Sequence, residues 1–402
     1  MRLPALLSLF ASIFLVSAGT APAQPAGKEE TRFERFRRMS REAEARGLAE
    51  PFRGITAEGK VETGLFPLRS TGVSTAPVQA AAATFLRQLT PDQRNRTCFP
   101  VDDAEWRKWM NQHFYVRQGV SFQEMSAEQR AAAFGLLRAS LSARGLRLSE
   151  DIMKLNHTLG ELNHDDFEQY GQWLYHVTVM GEPSSNQPWG WQIDGHHLIL
   201  NYFVLGDQVV MSPVFVGSEP VVARSGKFQG VAVLQEEQAA GLAMLRALRE
   251  DQRAVAVLKA QKTGNENLTE AFKDNVVIPY AGLPGTALTK EQQQQLLALI
   301  GLFVGYLDEG HAQAKLAEVQ AHLARTHFAW IGGSADDSTY YFRIHSPVLL
   351  IEFDHQRPAN LRHLSAAPQL PDRQHIHVVV RTPNGNDYGT DLLRQHYARE
   401  RH

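Results

Sequence analysis

Pro188-Trp189-Gly190-Trp191-Gln192-Ile193-Asp194-Gly195-His196-His197-Leu198-Ile199-Leu200-Asn201 is the stretch on which the reading of this chain turns. Apolar and polar residues alternate in it and glycine punctuates it, which is strand patterning rather than the three-to-four spacing of a helix. A second stretch, His375-Ile376-His377-Val378-Val379-Val380-Arg381, is sharper still. Side chains two apart on a strand face the same way, so Ile376, Val378 and Val380 form one continuous apolar face. His375, His377 and Arg381 stand with Val379 on the other. One face packs and the other presents imidazoles.

Outward from these two segments, Trp173 to Met180, Val209 to Val216, Tyr340 to Ile344 and Val348 to Phe353 share the same β-rich character, and Gly206-Asp207 supplies a hairpin turn. Between them lie helical blocks. Thr90-Pro91-Asp92-Gln93, Ser126-Ala127-Glu128-Gln129 and Thr289-Lys290-Glu291-Gln292 each set a hydroxyl three residues before a glutamine, the capping-box spacing. Phe134, Leu137 and Leu141, and likewise Leu242, Leu245 and Leu248, recur as core-facing helix stripes do. Gln235-Glu236-Glu237-Gln238 is a weaker relative of the helix starts, and the unequal spacing of the four argues against a solenoid. Strands broken by helical blocks, with hairpin pairings available, predict an α+β fold, a mostly antiparallel sheet packed with helical segments, as a single composite domain over residues 78–402. Residues 24–77, rich in arginine and glutamate and then in glycine, proline and serine, predict a helix around Glu34 to Arg46 and an extended arm.

The N-terminus has one basic residue, Arg2, an apolar run from Leu6 to Val16, and Ala21-Pro22-Ala23 before Gln24. This reads as a cleaved secretory signal over residues 1–23, too short to span a bilayer, and places the mature chain in the periplasm or outside the cell. Cys98 is the only cysteine, so no internal disulfide can form and stability rests on the core. With 402 residues, 43% of them hydrophobic, that core can be large. Lys+Arg 41 against Asp+Glu 43 leaves no field that would recruit nucleic acid.

A set of short motifs then carries a resemblance: Gly181-x-Pro183-Ser184, Gly195-His196-His197-Leu198 with Asn201, Glu352-Phe353-Asp354, His375-Ile376-His377, Asp387-Tyr388-Gly389 and Asp391-Leu392-Leu393-x-x-His396-Tyr397. From about Ala80 to Tyr397 the chain resembles the family called domain of unknown function 3500. The resemblance implies no activity, because that family is functionally uncharacterised.

The chemistry must come from the residues. Two imidazoles at i and i+2 can converge on one divalent ion, and three or four nitrogen or oxygen ligands with one open position make a catalytic type of site. If the segment from Gly195 is strand, His196 and His197 point to opposite sides, His197 with Asn201 and His196 with Leu198 and Leu200. That favours His197 as the third ligand, with His196 as the alternative should a bulge intervene. Glu352 and Asp354 share a face, and either can ligate, orient an imidazole or act as the base; an ion pair with Arg343 or Arg381 is the competing use. Arg381 is the candidate to stabilise developing negative charge. Trp189 and Trp191 on one side of their strand suit a cleft wall for sugar rings, peptides or apolar ligands, core packing being the alternative. Asn386 and Asp387, in the polar loop after the histidine strand, are further candidate ligand contacts, as is Asn201.

No Gly-x-Ser-x-Gly elbow, His-Glu-x-x-His helix, phosphate-binding loop or dinucleotide fingerprint occurs, and the isolated Cys98 offers no thiol chemistry. The pattern therefore favours a secreted, metal-dependent enzyme of hydrolase type, with zinc the first expectation and copper or iron the redox variant. A non-catalytic periplasmic protein that binds a small ligand or sequesters metal is the alternative. A purely structural envelope protein would require the histidines to be buried and singly satisfied.

Overall fold

The computed structural model describes residues 30–400. The expected leader, Met1 to Ala23, lies outside them.

Twelve strands form one sheet. In chain order they are β1 (Cys98–Phe99), β2 (Val120–Ser121), β3 (Tyr175–Met180), β4 (Trp189–Gly195), β5 (Leu198–Leu205) and β6 (Gln208–Ser218). The second half supplies β7 (Val257–Lys259), β8 (Leu283–Pro284), β9 (His327–Gly332), β10 (Tyr340–His345), β11 (Leu350–His355) and β12 (Ile376–Arg381). The spatial order is β1-β3-β4-β5-β6-β12-β11-β10-β9-β7, with β2 on β3 and β8 on β9. Every pairing is antiparallel except β1 with β3 and β7 with β9. Helices and a mostly antiparallel sheet make this an α+β fold.

The sheet is two four-stranded meanders, β3-β4-β5-β6 and β9-β10-β11-β12, joined where their last strands, β6 and β12, pair with Val216 opposite Val378. Each meander is preceded by the same series of elements. Helices Ala76–Gln88 and Pro91–Thr97, two short strands, then helices Ala127–Ser140 and Ala143–Leu162 lead into the first. Helices Gln235–Arg246 and Glu250–Ala256, two short strands, then helices Lys290–Val304 and Glu309–Ala321 lead into the second. The capping glutamines mark the correspondence: Gln93 and Gln129 exchange an amide hydrogen bond in one half, Gln252 and Gln292 in the other. The recurrent helix starts thus mark two units of like element order, and not an array.

The alternation in each strand decides which face meets the helices. Trp189, Trp191, Leu198, Leu200, Val214, Val216, Val378, Val380, Ile351, Phe353, Phe342 and Ile344 fall on one face by their cross-strand partners, and all lie in one buried cluster with residues of the helices. Contact is close there: a Cβ on Gly241, in helix Gln235–Arg246, would stand 2.2 Å from the Phe342 ring. The opposite face carries Gln192, Asp194, Asn201, His377, Arg381, Glu352, Asp354 and Arg343. Loops, not helices, cover it. Asp194 pairs with Arg117 at 3.0 Å, Gln192 donates to the Trp106 carbonyl at 3.0 Å, and the N-terminal arm bonds across at Asn384 N–H to Ile55 O, 2.8 Å. A polar face under loops is where a site can form, because loop side chains and backbone satisfy its polar groups without filling the space with a helix. The arm follows helix Arg32–Gly47, which Thr31 and Glu34 cap reciprocally. Among the described residues no helix is long and apolar enough to cross a membrane.

Candidate metal centre

At the seam between the meanders three imidazoles meet. His377 points off the polar face of β12, His375 lies immediately before that strand, and His197 comes from the turn joining β4 to β5. Their Nε2 atoms form a triangle with sides of 3.0 Å (His375 to His377), 3.1 Å (His197 to His377) and 3.3 Å (His197 to His375). All three side chains are buried. A tetrahedral ion with zinc–nitrogen bonds of about 2.0–2.1 Å sets its donors about 3.3 Å apart, so the triangle has the dimensions of three such ligands drawn slightly inward.

The other ring nitrogens fix what these atoms offer. His375 Nδ1 is 2.7 Å from the Arg357 carbonyl oxygen, which can only accept, so Nδ1 carries the hydrogen and Nε2 a lone pair. His377 Nδ1 lies 2.7 Å from Glu270 Oε1 and donates to it whenever that carboxyl is ionised, with the same result. In that state two lone pairs face each other at 3.0 Å. A hydrogen on His197 Nε2 could satisfy only one of them. Protonation is no remedy either, because burial and the neighbouring imidazoles push His197 and His377 well below the ordinary histidine range. Three buried ligand atoms so placed could hold a metal ion. Carboxylate and carbonyl partners on Nδ1 are also what orients metal-ligating imidazoles elsewhere.

The chain is bent to bring His197 in. His196 and His197 form a two-residue turn between Gly195 and Leu198, which pair with each other, and His197 has φ 62°. The expectation that these histidines sit on a strand and face opposite ways is therefore corrected: they are in a turn, and the sequence lacks the Asn-Gly type of pair that usually announces one. A left-handed conformation costs a non-glycine residue about 1–2 kcal/mol, so histidine is a strained occupant. Gly217 makes room beneath: a Cβ there would meet the Ile376 carbonyl at 2.5 Å and the His197 ring at 3.1 Å. His197→Asn, which accepts the left-handed conformation readily, is expected to leave the metal-free chain as stable as the parent or up to about 1 kcal/mol more so, while zinc binding is lost. Urea unfolding in chelator and zinc titration check the two halves of this expectation.

His196 goes elsewhere. Its Nδ1 bonds Asn156 Oδ1 at 2.8 Å and its ring lies against His197 with centroids 4.1 Å apart and planes tilted by 33°, which makes it a support for that imidazole. Asn201 is wholly buried, accepting from Gln192 and donating to the Pro213 carbonyl. Trp189 and Trp191 are also wholly buried, on the face under the helices, so the cleft-wall reading is replaced by core packing.

Glu352, Asp354 and Arg381 share the polar face with His377, yet they hold a loop rather than face a ligand. Glu352 accepts from the Leu268 and Thr269 N–H groups, the Thr269 hydroxyl and Tyr341 Oη. Asp354 pairs with Lys262 at 2.7 Å and accepts from Glu266 N–H and Gln356 Nε2. Arg381 binds Asp274 at 3.0 Å and Asp387 at 3.2 Å and donates to the Thr269 carbonyl. Neither carboxylate makes the expected ion pair with Arg343 or Arg381. Burial pushes Asp354 up to about 7 and raises Glu352, Lys262 and the loop donors opposing it. Asp387 is thus an internal counter-ion, and Asn386 accepts from Leu392 N–H at the start of the last helix and lines a separate cavity with Phe66, Lys315 and Leu392.

The loop so anchored, 262–274, delivers the residue that sequence reasoning missed. Glu270 sits between Thr269 and Ala271 in a polar stretch with no periodicity to single it out, and its carboxyl, pushed up to about 7 by burial, orients His377. Above the imidazoles a small cavity of about 50 Å³ opens between Asn111, Gln112 and His113 on one side and Ala359 and Asn360 on the other. Burial, with Arg117 nearby, brings His113 down to about 4, so it lines this mouth as a neutral ring. Cys98 is remote from this chemistry, half-buried with its thiol pushed up by burial.

A family model described as a protein of unknown function, DUF3500, matches residues 71–390. No curated protein and no solved structure matches the chain.

Proposed function

The chain belongs to the DUF3500 family, which carries no assigned activity, and we propose that it is a zinc-dependent enzyme of hydrolase type whose ligands are His197, His375 and His377. The observation that carries this reading is the convergence of three Nε2 atoms with two of the opposite nitrogens committed as donors. Three nitrogen ligands would leave a fourth position open, and Asn111, His113 and Asn360 line the cavity beside the imidazoles. Zinc in such a site supplies Lewis acidity and lowers the pKa of a held water to about 7. The chain's own contribution is to aim the imidazoles, through Glu270 and the Arg357 carbonyl, and to meet a substrate's polar groups with the amides and the neutral imidazole of His113. Copper or iron is the redox variant of the same ligand set. The reading is of an exported protein, supported by the leader-like residues 1–23.

Purified from its own compartment without an affinity tag, the protein is expected to contain one zinc per chain and to hydrolyse simple esters such as 4-nitrophenyl acetate in a metal-dependent way. Glu270→Gln should lower zinc affinity by about 10- to 100-fold. The narrowness of the mouth favours a second reading, a non-catalytic metal-binding protein. Stoichiometric zinc with no turnover across esters, amides and phosphoesters would decide for it.

A further inference from the structure

Beyond the Pro358–Leu361 segment from the mouth lies a larger cavity of about 280 Å³, and His375 lines both. Its walls are apolar, formed by Leu162, Pro220, Val222, Pro358, Leu361 and Leu364. Two acidic side chains border it, and both are engaged with the backbone. Glu219 accepts from the N–H groups of Ala359, Asn360 and Leu361, and Asp372 accepts from Gln374 N–H. Arg224, at the rim, has no hydrogen bond or ion pair among the described residues. An apolar cavity beside a ligand histidine, with one uncommitted guanidinium at its edge, has the character of a ligand site, in which apolar walls take the body and a few polar groups fix the orientation. The guanidinium selects the sign of the charge at the far end, since it binds carboxylates through paired N–H donors.

We propose that this cavity is the substrate pocket of the zinc site, and that it takes an apolar chain with a carboxylate at the end remote from the reacting group. The carboxylate meets Arg224, the chain lies against Leu361 and Val222, and the hydrolysable bond reaches the histidines past His375. The inference rests on the metal reading for the last of these contacts alone.

Monohydroxamates of linear dicarboxylic acids, about six to ten carbons long and sized to a cavity at the small end of the ligand-pocket range, test it by calorimetry on the full chain. The zinc-loaded protein is expected to bind the best of them at least about tenfold more tightly than the chelated protein. Arg224→Gln should weaken that binding roughly tenfold, the loss of one charge-assisted contact, and leave the hydroxamate without a terminal carboxylate unaffected. Leu361→Trp, which fills the cavity, should weaken both. The plain dicarboxylate, measured in chelator, examines the cavity without metal and should be sensitive to both substitutions. Should zinc fail to bind while the dicarboxylate still does so in this way, the metal reading falls and the pocket stands. Zinc binding together with hydroxamate affinities that neither substitution alters would overturn the pocket, and equal affinity with and without zinc would overturn its service to the metal.

Discussion

His377→Ala is expected to abolish stoichiometric zinc binding and with it the whole metal-linked part of the stability, about 4 kcal/mol when free zinc is a thousandfold above the parent's Kd. The sign follows from the site's electrostatics. In the metal-free parent with Glu270 ionised, the lone pairs of His375 and His377 oppose each other at 3.0 Å, so removing one ring relieves a repulsion rather than breaking a bond. In chelator, parent and variant should therefore unfold at closer temperatures than in zinc, the variant losing the ring's contacts with Phe215, His197 and His375 and its bond to Glu270. In zinc the parent alone should gain. Thermal unfolding of both proteins with and without chelator, with elemental analysis, gives four values that must show this crossing pattern. A parent that melts identically in all conditions and holds no metal would sink the metal reading.

Arg381→Ala should be the most damaging single change to the fold, at about 3–5 kcal/mol, because it leaves buried aspartates without their counter-ion. Asp387 and Asp274 both face the guanidinium; Asp274 keeps Arg107 at 2.8 Å, while Asp387 loses its only cationic partner among the described residues. Arg381 also donates to the carbonyls of Thr269 and Glu270, so the loop that presents the Glu270 carboxylate is released at the same time. Urea unfolding should show the loss, and zinc affinity should fall by about the same 10- to 100-fold as in Glu270→Gln. Unchanged stability with lost turnover would instead return Arg381 to the role of stabilising charge in the reaction.

The parts of this protein that follow from short-range pattern were legible in the sequence. Period-two alternation gives the two faces of β12 and of β11, and hydroxyl-to-glutamine spacing gives three helix starts that the structure caps as expected. Alternation does not say which face the helices will cover. That is why Trp189 and Trp191 could be placed in a cleft when their side of β4 is the one roofed by helices. Nor does it show that a histidine has taken a left-handed turn position, which put His196 and His197 on a strand. Glu352, Asp354 and Arg381 stood out as charged residues on the imidazole face. Each has a partner on a loop about 80 to 110 residues earlier, so those bonds depend on tertiary folding. Glu270, on that same loop, gave no signal of its own.

The pairing of β6 with β12 has a consequence for descent. His197 belongs to one copy of the repeated unit, His375 and His377 to the other, so neither copy holds the ligand set alone. Had the two copies once been separate identical chains paired along this seam, twofold symmetry would have obliged any such centre to occur twice. A tandem chain carries no such obligation. The connection between β10 and β11, counterpart of Gly195-His196-His197-Leu198, reads His345-Ser346-Pro347-Val348-Leu349-Leu350, and its one imidazole, His345, packs on Tyr280 rather than joining the three-histidine cluster. One half can thus place a histidine turn in the cluster while the matching turn of the other half stays outside it, an asymmetry open to a tandem chain and closed to a homodimer.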